Sequence, residues 1–149
     1  MAGQVCVDAS FALMLLLPHD LSPKAEAIWQ SWMESDVETV TPPLFFAEVT
    51  SVLRESVHFG RVLASEGEDA FSAFMKLGIR TVDPSDLQPR AWALARQHNR
   101  PRAYDAQYLA VATILGCELW TGDRRLVNTL GVSWLIWLGD HKGNTGNGG

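Results

Sequence analysis

Three observations predict an α/β domain of three layers, α/β/α, around a central, mainly parallel sheet of about five strands. Short β-like apolar runs alternate with helical stretches along the chain, the pattern of a parallel sheet covered on both faces. The 149 residues are 47% hydrophobic and 19% charged, enough for one substantial core. No internal repeat or linker interrupts them. Residues 4–7 read as the first strand. Residues 10–17 form a short helix ended by Pro18. Ser22 as N-cap and Pro23 at the first helical position open a helix to about residue 34, with Ala25, Ile28, Trp29 and Trp32 on one face. The second strand, 37–40, is closed by Pro42 and Pro43, and a helix over 44–58 is stopped by Gly60. A helix over 63–77, with Phe71, Phe74 and Met75 apolar, ends at Gly78, and residues 79–82 make a third strand. Ser85 or Asp86 caps the next helix, which carries Trp92, Leu94 and Ala95 and fades at His98 and Asn99, before a loop holding Pro101. A strongly apolar helix over 103–115 closes at Gly116, followed by a strand at 118–121, a short helix at 123–130 and a last strand at 132–138. Residues 1–140 therefore read as a single domain, and the Gly/Asn-rich residues 141–149 as a flexible tail.

The charge balance narrows the function. Twelve Lys and Arg against 17 Asp and Glu leave a net charge of -5, which argues against a protein that coats nucleic acid through overall basicity. It leaves room for a nuclease if several acids are neutralised by metal. Nine of the cations are Arg, and five of these fall in two clusters, Arg96, Arg100 and Arg102, and Arg124 and Arg125. A guanidinium fits a phosphate well. Cys6 and Cys117, far apart in apolar strand-like segments, read as buried thiols of a reducing compartment. The apolar run 11–17 lacks a basic leader and is too short for a bilayer, so a cytoplasmic protein is expected.

Four acids stand where packing would prefer an apolar residue. Asp8 follows Val5-Cys6-Val7, and Asp123 closes Leu119-Trp120-Thr121-Gly122. Both come directly after strands, at the end of an α/β sheet where ligands bind. Glu48 shares a helical face with Phe45 and Val52, and Asp105 shares one with Tyr108, Leu109 and Ala112, so both carboxylates are expected to point inward. Four crowded carboxylates repel one another, and a divalent cation removes the conflict. Each acid also has a plain structural use: a turn at Asp8, an N-cap at Asp123, helix-dipole complementarity at Asp105. Ser10 and Thr121 each lie two residues from an acid and could orient it, or serve only as a helix cap and a strand residue. The sequence holds no GxSxG, HExxH, P-loop or CxxC motif.

These residues resemble the PIN domain, and within it the VapC-type toxins of bacterial toxin–antitoxin pairs. The resemblance is carried by Val7-Asp8-Ala9-Ser10, by Pro42-Pro43-Leu44 through Glu48-Val49, by Ala103 through Ala110 around Asp105, and by Leu119 through Leu126 around Asp123. It implies a PIN-like nuclease domain and an Mg2+- or Mn2+-dependent endoribonuclease that inhibits translation. Asp8, Glu48, Asp105 and Asp123 would be both the catalytic and the metal-binding acids, with Ser10 and Thr121 as supporting polar groups. With all four acids present, an active member is expected. Arg124, Arg125 and Arg102 would grip RNA phosphates. A homodimer and a cognate antitoxin protein are implied as partners. Gly122 departs mildly from the family pattern and is expected to loosen the loop before Asp123.

Two other classes stay open. A doubly wound phosphatase or phosphotransfer domain would use Asp8 as nucleophile, although position 10 carries Ser10 where such a phosphatase would have an acid. A non-catalytic module would keep the fold and use the acids to bind a basic peptide.

Overall fold

A computed structural model describes residues 3–140. The expected tail at 141–149 lies outside the described residues. Five strands form one sheet: β1 (Gln4–Val7), β2 (Glu38–Thr41), β3 (Arg80–Thr81), β4 (Glu118–Thr121) and β5 (Leu135–Trp137). Their order is β3-β2-β1-β4-β5 and every pairing is parallel. The three-layer α/β expectation holds. β1 is central because it can be: Val5, Cys6 and Val7 are all buried, the unbroken apolar run that a strand covered on both faces needs.

Seven helices cover the sheet: α1 (Ala9–Leu16), α2 (Ser22–Glu34), α3 (Leu44–His58), α4 (Ala64–Phe74), α5 (Leu87–Gln97), α6 (Tyr104–Leu115) and α7 (Arg124–Leu130). α1 packs against α2, α3 and α4, while α5 packs on α6, which lies against β1 and β4. In α3 the buried positions Phe45, Val49, Leu53 and Ser56 recur at three and four residues. α6 buries six residues, three of them alanine, which lets its backbone approach the sheet closely. Trp32 stacks on Phe11 with ring centroids 5.3 Å apart and meets Trp120 edge-on at 5.4 Å, so it belongs to the core. No helix among the described residues is long and apolar enough to cross a membrane.

Several local expectations are corrected. Asp8, not Ser10, is the N-cap of α1, accepting from the Phe11 backbone N–H at 2.9 Å. Leu21 holds the N-cap position of α2, and the Ser22 hydroxyl donates back to the Leu17 carbonyl instead. α4 stops three residues early, at Phe74, and Phe71 and Met75 point to solvent. β3 and β5 are shorter than the apolar runs around them, and the last run bends into a 3-10 turn at Leu138–Asp140. Cys117 lies in the turn between α6 and β4 and is only partly buried; both cysteines are free thiols.

Candidate active site

The strand order reverses direction at β1, which has β2 on one side and β4 on the other. Beyond the carboxyl ends of β1 and β4 lies the switch-point crevice of a doubly wound sheet. Asp8 follows β1 and Asp123 stands two residues past β4, so both acids are delivered to that crevice by the chain path. The Asp8 backbone N–H donates to the Trp120 carbonyl, extending the β1–β4 pairing by one bond and fixing the acid against β4.

Asp8 is the only one of the four acids that is buried, at 9% exposure. Its Oδ1 accepts from the Ser10 hydroxyl at 2.7 Å and from the Phe11 N–H, and its Oδ2 accepts from the buried Thr121 hydroxyl at 2.5 Å. Burial nevertheless dominates and raises the Asp8 carboxyl from 3.8 to about 6, with Thr121, Ser10 and Phe11 N opposing it and the charge of Asp105 adding to it. Ser10 and Thr121 lie 3.1 Å apart and act as a pair. Ser10 Oγ accepts from the Gly122 N–H at 2.9 Å, and Thr121 Oγ1 accepts from the Asp123 N–H at 3.0 Å. Two hydroxyls thus tie the buried carboxylate to the loop that carries Asp123. The expectation that Gly122 loosens this loop is overturned. Its N–H is bonded, and a Cβ there would meet the end of the Met14 side chain at 2.7 Å and the Ser10 carbonyl at 3.0 Å. Glycine is what lets the loop lie flat against α1.

Glu48 is half-buried at the margin of the core face of α3. Its Oε1 accepts from the Tyr108 hydroxyl at 3.0 Å. Burial raises the Glu48 carboxyl, Tyr108 lowers it, and the charges of Asp8 and Asp105 raise it again. The Tyr108 phenol is pushed far up, first by burial and then by Glu48, so it remains a hydrogen-bond donor. Asp105 does not point inward as expected. It is about half exposed and pairs with the Arg100 guanidinium at 3.2 Å, because the buried stripe of α6 begins one residue later, at Ala106. Asp123 is also exposed, and its Oδ1 caps α7 by accepting from the Arg125 and Leu126 N–H groups.

The structure therefore brings Asp8, Glu48 and Asp105 within electrostatic reach of one another and links Asp123 to Asp8 through Thr121. It does not gather the four into one knot. Among the described residues no three His, Cys, Asp or Glu side chains stand together as a ready ligand cage. The donor chemistry still suits a hard divalent cation: all four groups are carboxylates, and mutual repulsion and burial leave Asp8 and Glu48 reluctant to ionise without added positive charge. Glu48 Oε2, Asp105 Oδ1 and Asp123 Oδ2 accept no hydrogen bond among the described residues, which leaves them available.

Of the expected phosphate contacts, Arg102 lines a pocket beside Asp105. Arg124 lies over the Trp137 ring, 4.9 Å from its centroid, and Arg125 is exposed at the start of α7. Sequence reasoning missed the bond between Tyr108 and Glu48. A polar-tipped aromatic one turn after Asp105, in an otherwise apolar helix, was the signal available.

Comparison with known proteins identifies the family and agrees with the fold. The PIN domain family model matches residues 5–130. A VapC ribonuclease of Mycobacterium bovis and ribonuclease VapC9 of Mycobacterium tuberculosis are each 30% identical over 125 residues, covering 84% of this chain and 90% of the relative. Among solved structures, PAE2754 from Pyrobaculum aerophilum superposes with a TM-score of 0.67 at 22% identity, over 93% of both chains. VapC20 of Mycobacterium tuberculosis, a toxin that cleaves the sarcin–ricin loop, superposes with a TM-score of 0.65 at 18% identity, over 88% of this chain and 96% of that one.

Proposed function

This chain belongs to the PIN-domain family, and we propose that within it the protein is a VapC-type ribonuclease, the toxin of a toxin–antitoxin pair that cuts RNA phosphodiester bonds. The observation that carries the reading is Asp8: a buried carboxylate at the switch point of a parallel sheet, clamped by Ser10, Thr121 and the Phe11 N–H, and facing the charges of two further acids.

Asp8, Glu48 and Asp105 would hold a divalent cation, Mg2+ or Mn2+, with Asp123 as a further ligand or as the group that orients a water. When bound, the cation supplies positive charge against the phosphodiester and acidifies a water for in-line attack. The chain's own residues do the positioning. Thr121 and Ser10 fix both oxygens of Asp8. Tyr108 fixes one oxygen of Glu48 and leaves the other free to turn toward the crevice. Arg102 and the exposed Arg124 and Arg125 would hold phosphates of the RNA strand. Arg100 must give up Asp105 when that carboxylate takes its role. The acidic crevice suits an antitoxin that inserts a basic side chain, and a homodimer would set two such crevices in one particle. The phosphatase alternative lacks an acid at position 10, where Ser10 is already committed to Asp8 and Gly122.

The test is cleavage of a panel of structured RNAs by the antitoxin-free protein with Mg2+, with Mn2+ and with EDTA, beside Asp8→Asn. Cuts that require metal and vanish in Asp8→Asn are expected. Turnover of a small phosphate ester without RNA cleavage would refute the ribonuclease in favour of the phosphatase.

A further inference from the structure

Immediately outside the acidic centre, a pocket of ≈ 230 Å³ is lined by Arg100, Pro101, Arg102, Tyr104 and Asp105. It is smaller than the sites of roughly 300–1,000 Å³ that bury small molecules, so it suits part of a longer ligand. Tyr104 is the first residue of α6 and its side chain is 60% exposed. Its ring meets no other aromatic ring among the described residues, and its hydroxyl makes no hydrogen bond there. A flat face is thus held out to solvent by the N-terminus of a helix whose next turns are locked in the core. Arg100 is spent on Asp105, but Arg102 makes no ion pair among the described residues. One free guanidinium, one open aromatic face and one wall shared with a candidate cation ligand therefore converge.

We propose that this pocket receives a single unstacked base of the RNA strand next to the phosphate being cut, with the base on the Tyr104 ring and the adjoining phosphate on Arg102. The assignment rests on the ribonuclease reading and adds to it a subsite that sets where the strand is cut. Every base offers a π face, so stacking supplies affinity with little sequence demand. A base inside a duplex cannot reach such a ring, which makes the subsite a selector for single-stranded or looped RNA.

The experiment is fluorescence anisotropy of a labelled single-stranded oligoribonucleotide, and of the same strand in a duplex, with EDTA present so that nothing is cut. The wild-type protein should favour the single strand. Tyr104→Ala should weaken single-strand binding roughly tenfold, while Tyr104→Phe, which keeps the ring, should match wild type. Arg102→Ala should reduce the slope of log affinity against log salt by about 0.7, the value for one lost phosphate contact on a single strand. Trp92→Ala, which removes an aromatic that is 72% exposed but outside the pocket, should change nothing. With Mg2+ restored, Tyr104→Ala should raise KM more than it lowers kcat and spread the cut positions. If Tyr104→Ala binds and cuts as wild type does while Asp8→Asn abolishes cutting, the subsite is refuted and the ribonuclease stands. If the wild-type protein neither binds nor cuts any RNA, the ribonuclease reading fails and takes the subsite with it.

Discussion

Removing the charge of Asp8 should stabilise the metal-free protein while abolishing its activity. The carboxyl is raised from 3.8 to about 6, chiefly by burial. A raised folded-state pKa means that the folded protein holds the proton more tightly than the unfolded chain. The stability it contributes is full below 3.8 and is lost as pH climbs through 6. Over that span of about two pH units the loss is about 3 kcal/mol, at about 1.36 kcal/mol per unit. Asp8→Asn escapes it without orphaning a partner. The Asn oxygen can keep the Ser10 hydroxyl and the Phe11 N–H, and its amide can donate to Thr121 Oγ1, whose own proton then turns to Ser10 Oγ 3.1 Å away. The new bonds are neutral, and so weaker than those to a carboxylate, which leaves a net gain of about 2 kcal/mol. For a domain of this size that is a rise in Tm of about 4–8 °C at pH 8. Thermal melts of both proteins in EDTA from pH 5 to pH 8 measure it. The difference should be largest at pH 8 and close toward pH 5, and Mg2+ should raise the wild-type Tm but not the variant's. An Asn variant that melts at or below wild type at pH 8 would refute the claim that Asp8 is a strained charge awaiting a cation.

Three further outcomes are expected. Thr121→Val removes the donor to Asp8 and leaves the Asp123 N–H without its acceptor, so urea unfolding should show a loss of about 1–3 kcal/mol, and RNA cleavage should fall with it. Gly122→Ala drives a Cβ into Met14 and the Ser10 carbonyl; Met14 can shift and Ser10 cannot, so a stability cost of about 1–3 kcal/mol should accompany a larger proportional loss of kcat. Tyr108→Phe deletes the bond that lowers the already raised Glu48 carboxyl; a pH–rate profile should show the acid limb moving to higher pH, with more activity lost at pH 6 than at pH 8.

The sheet was legible because its signals are local and redundant. Val5-Cys6-Val7 and Leu119-Trp120-Thr121 are too apolar for edge strands, and each is followed by an acid and then a helix. Helix ends that carry a strong local signal, such as Gly116 and Gly131 in the left-handed region, came out where expected. Caps were harder to read, because serine and aspartate compete for them through hydrogen bonds that depend on neighbours distant in sequence. Ser10 looked like a cap but is held by Gly122, 112 residues away. Exposure was hardest of all. Phe71, Met75 and Trp92 fit a core by composition but lie on outward faces, and Asp105 fits a buried stripe by spacing but falls one residue before that stripe begins. Periodicity fixes which residues share a face; which face meets the sheet is decided by packing that a helical pattern does not contain.

All four acids of the proposed site also serve the fold: Asp8 and Asp123 cap helices, Asp105 holds Arg100, and Glu48 takes the Tyr108 hydroxyl. Structural use and cation binding compete at Asp105, whose pair with Arg100 must part; at Glu48 and Asp123 they do not, because among the described residues only one carboxylate oxygen is taken. Asp8 is the fixed point, with both oxygens bonded and its backbone tied to β4. The other three each keep one oxygen free among the described residues and are partly or largely exposed, so they can rotate inward at little cost. An arrangement with one immobile, reluctant charge and three adaptable ones would bind a cation by closing around it. The energy that closure must overcome is small for the exposed Arg100–Asp105 pair, since such pairs are typically worth about 1 kcal/mol or less. The burial of Asp8 weighs more, and a cation beside it would offset the cost of ionising it. Metal affinity should therefore track the environment of Asp8 more closely than the partners of Asp105: Thr121→Val should shift the Mg2+ dependence of Tm further than Arg100→Ala does, and the reverse order would show that the closing step, not the buried charge, controls binding.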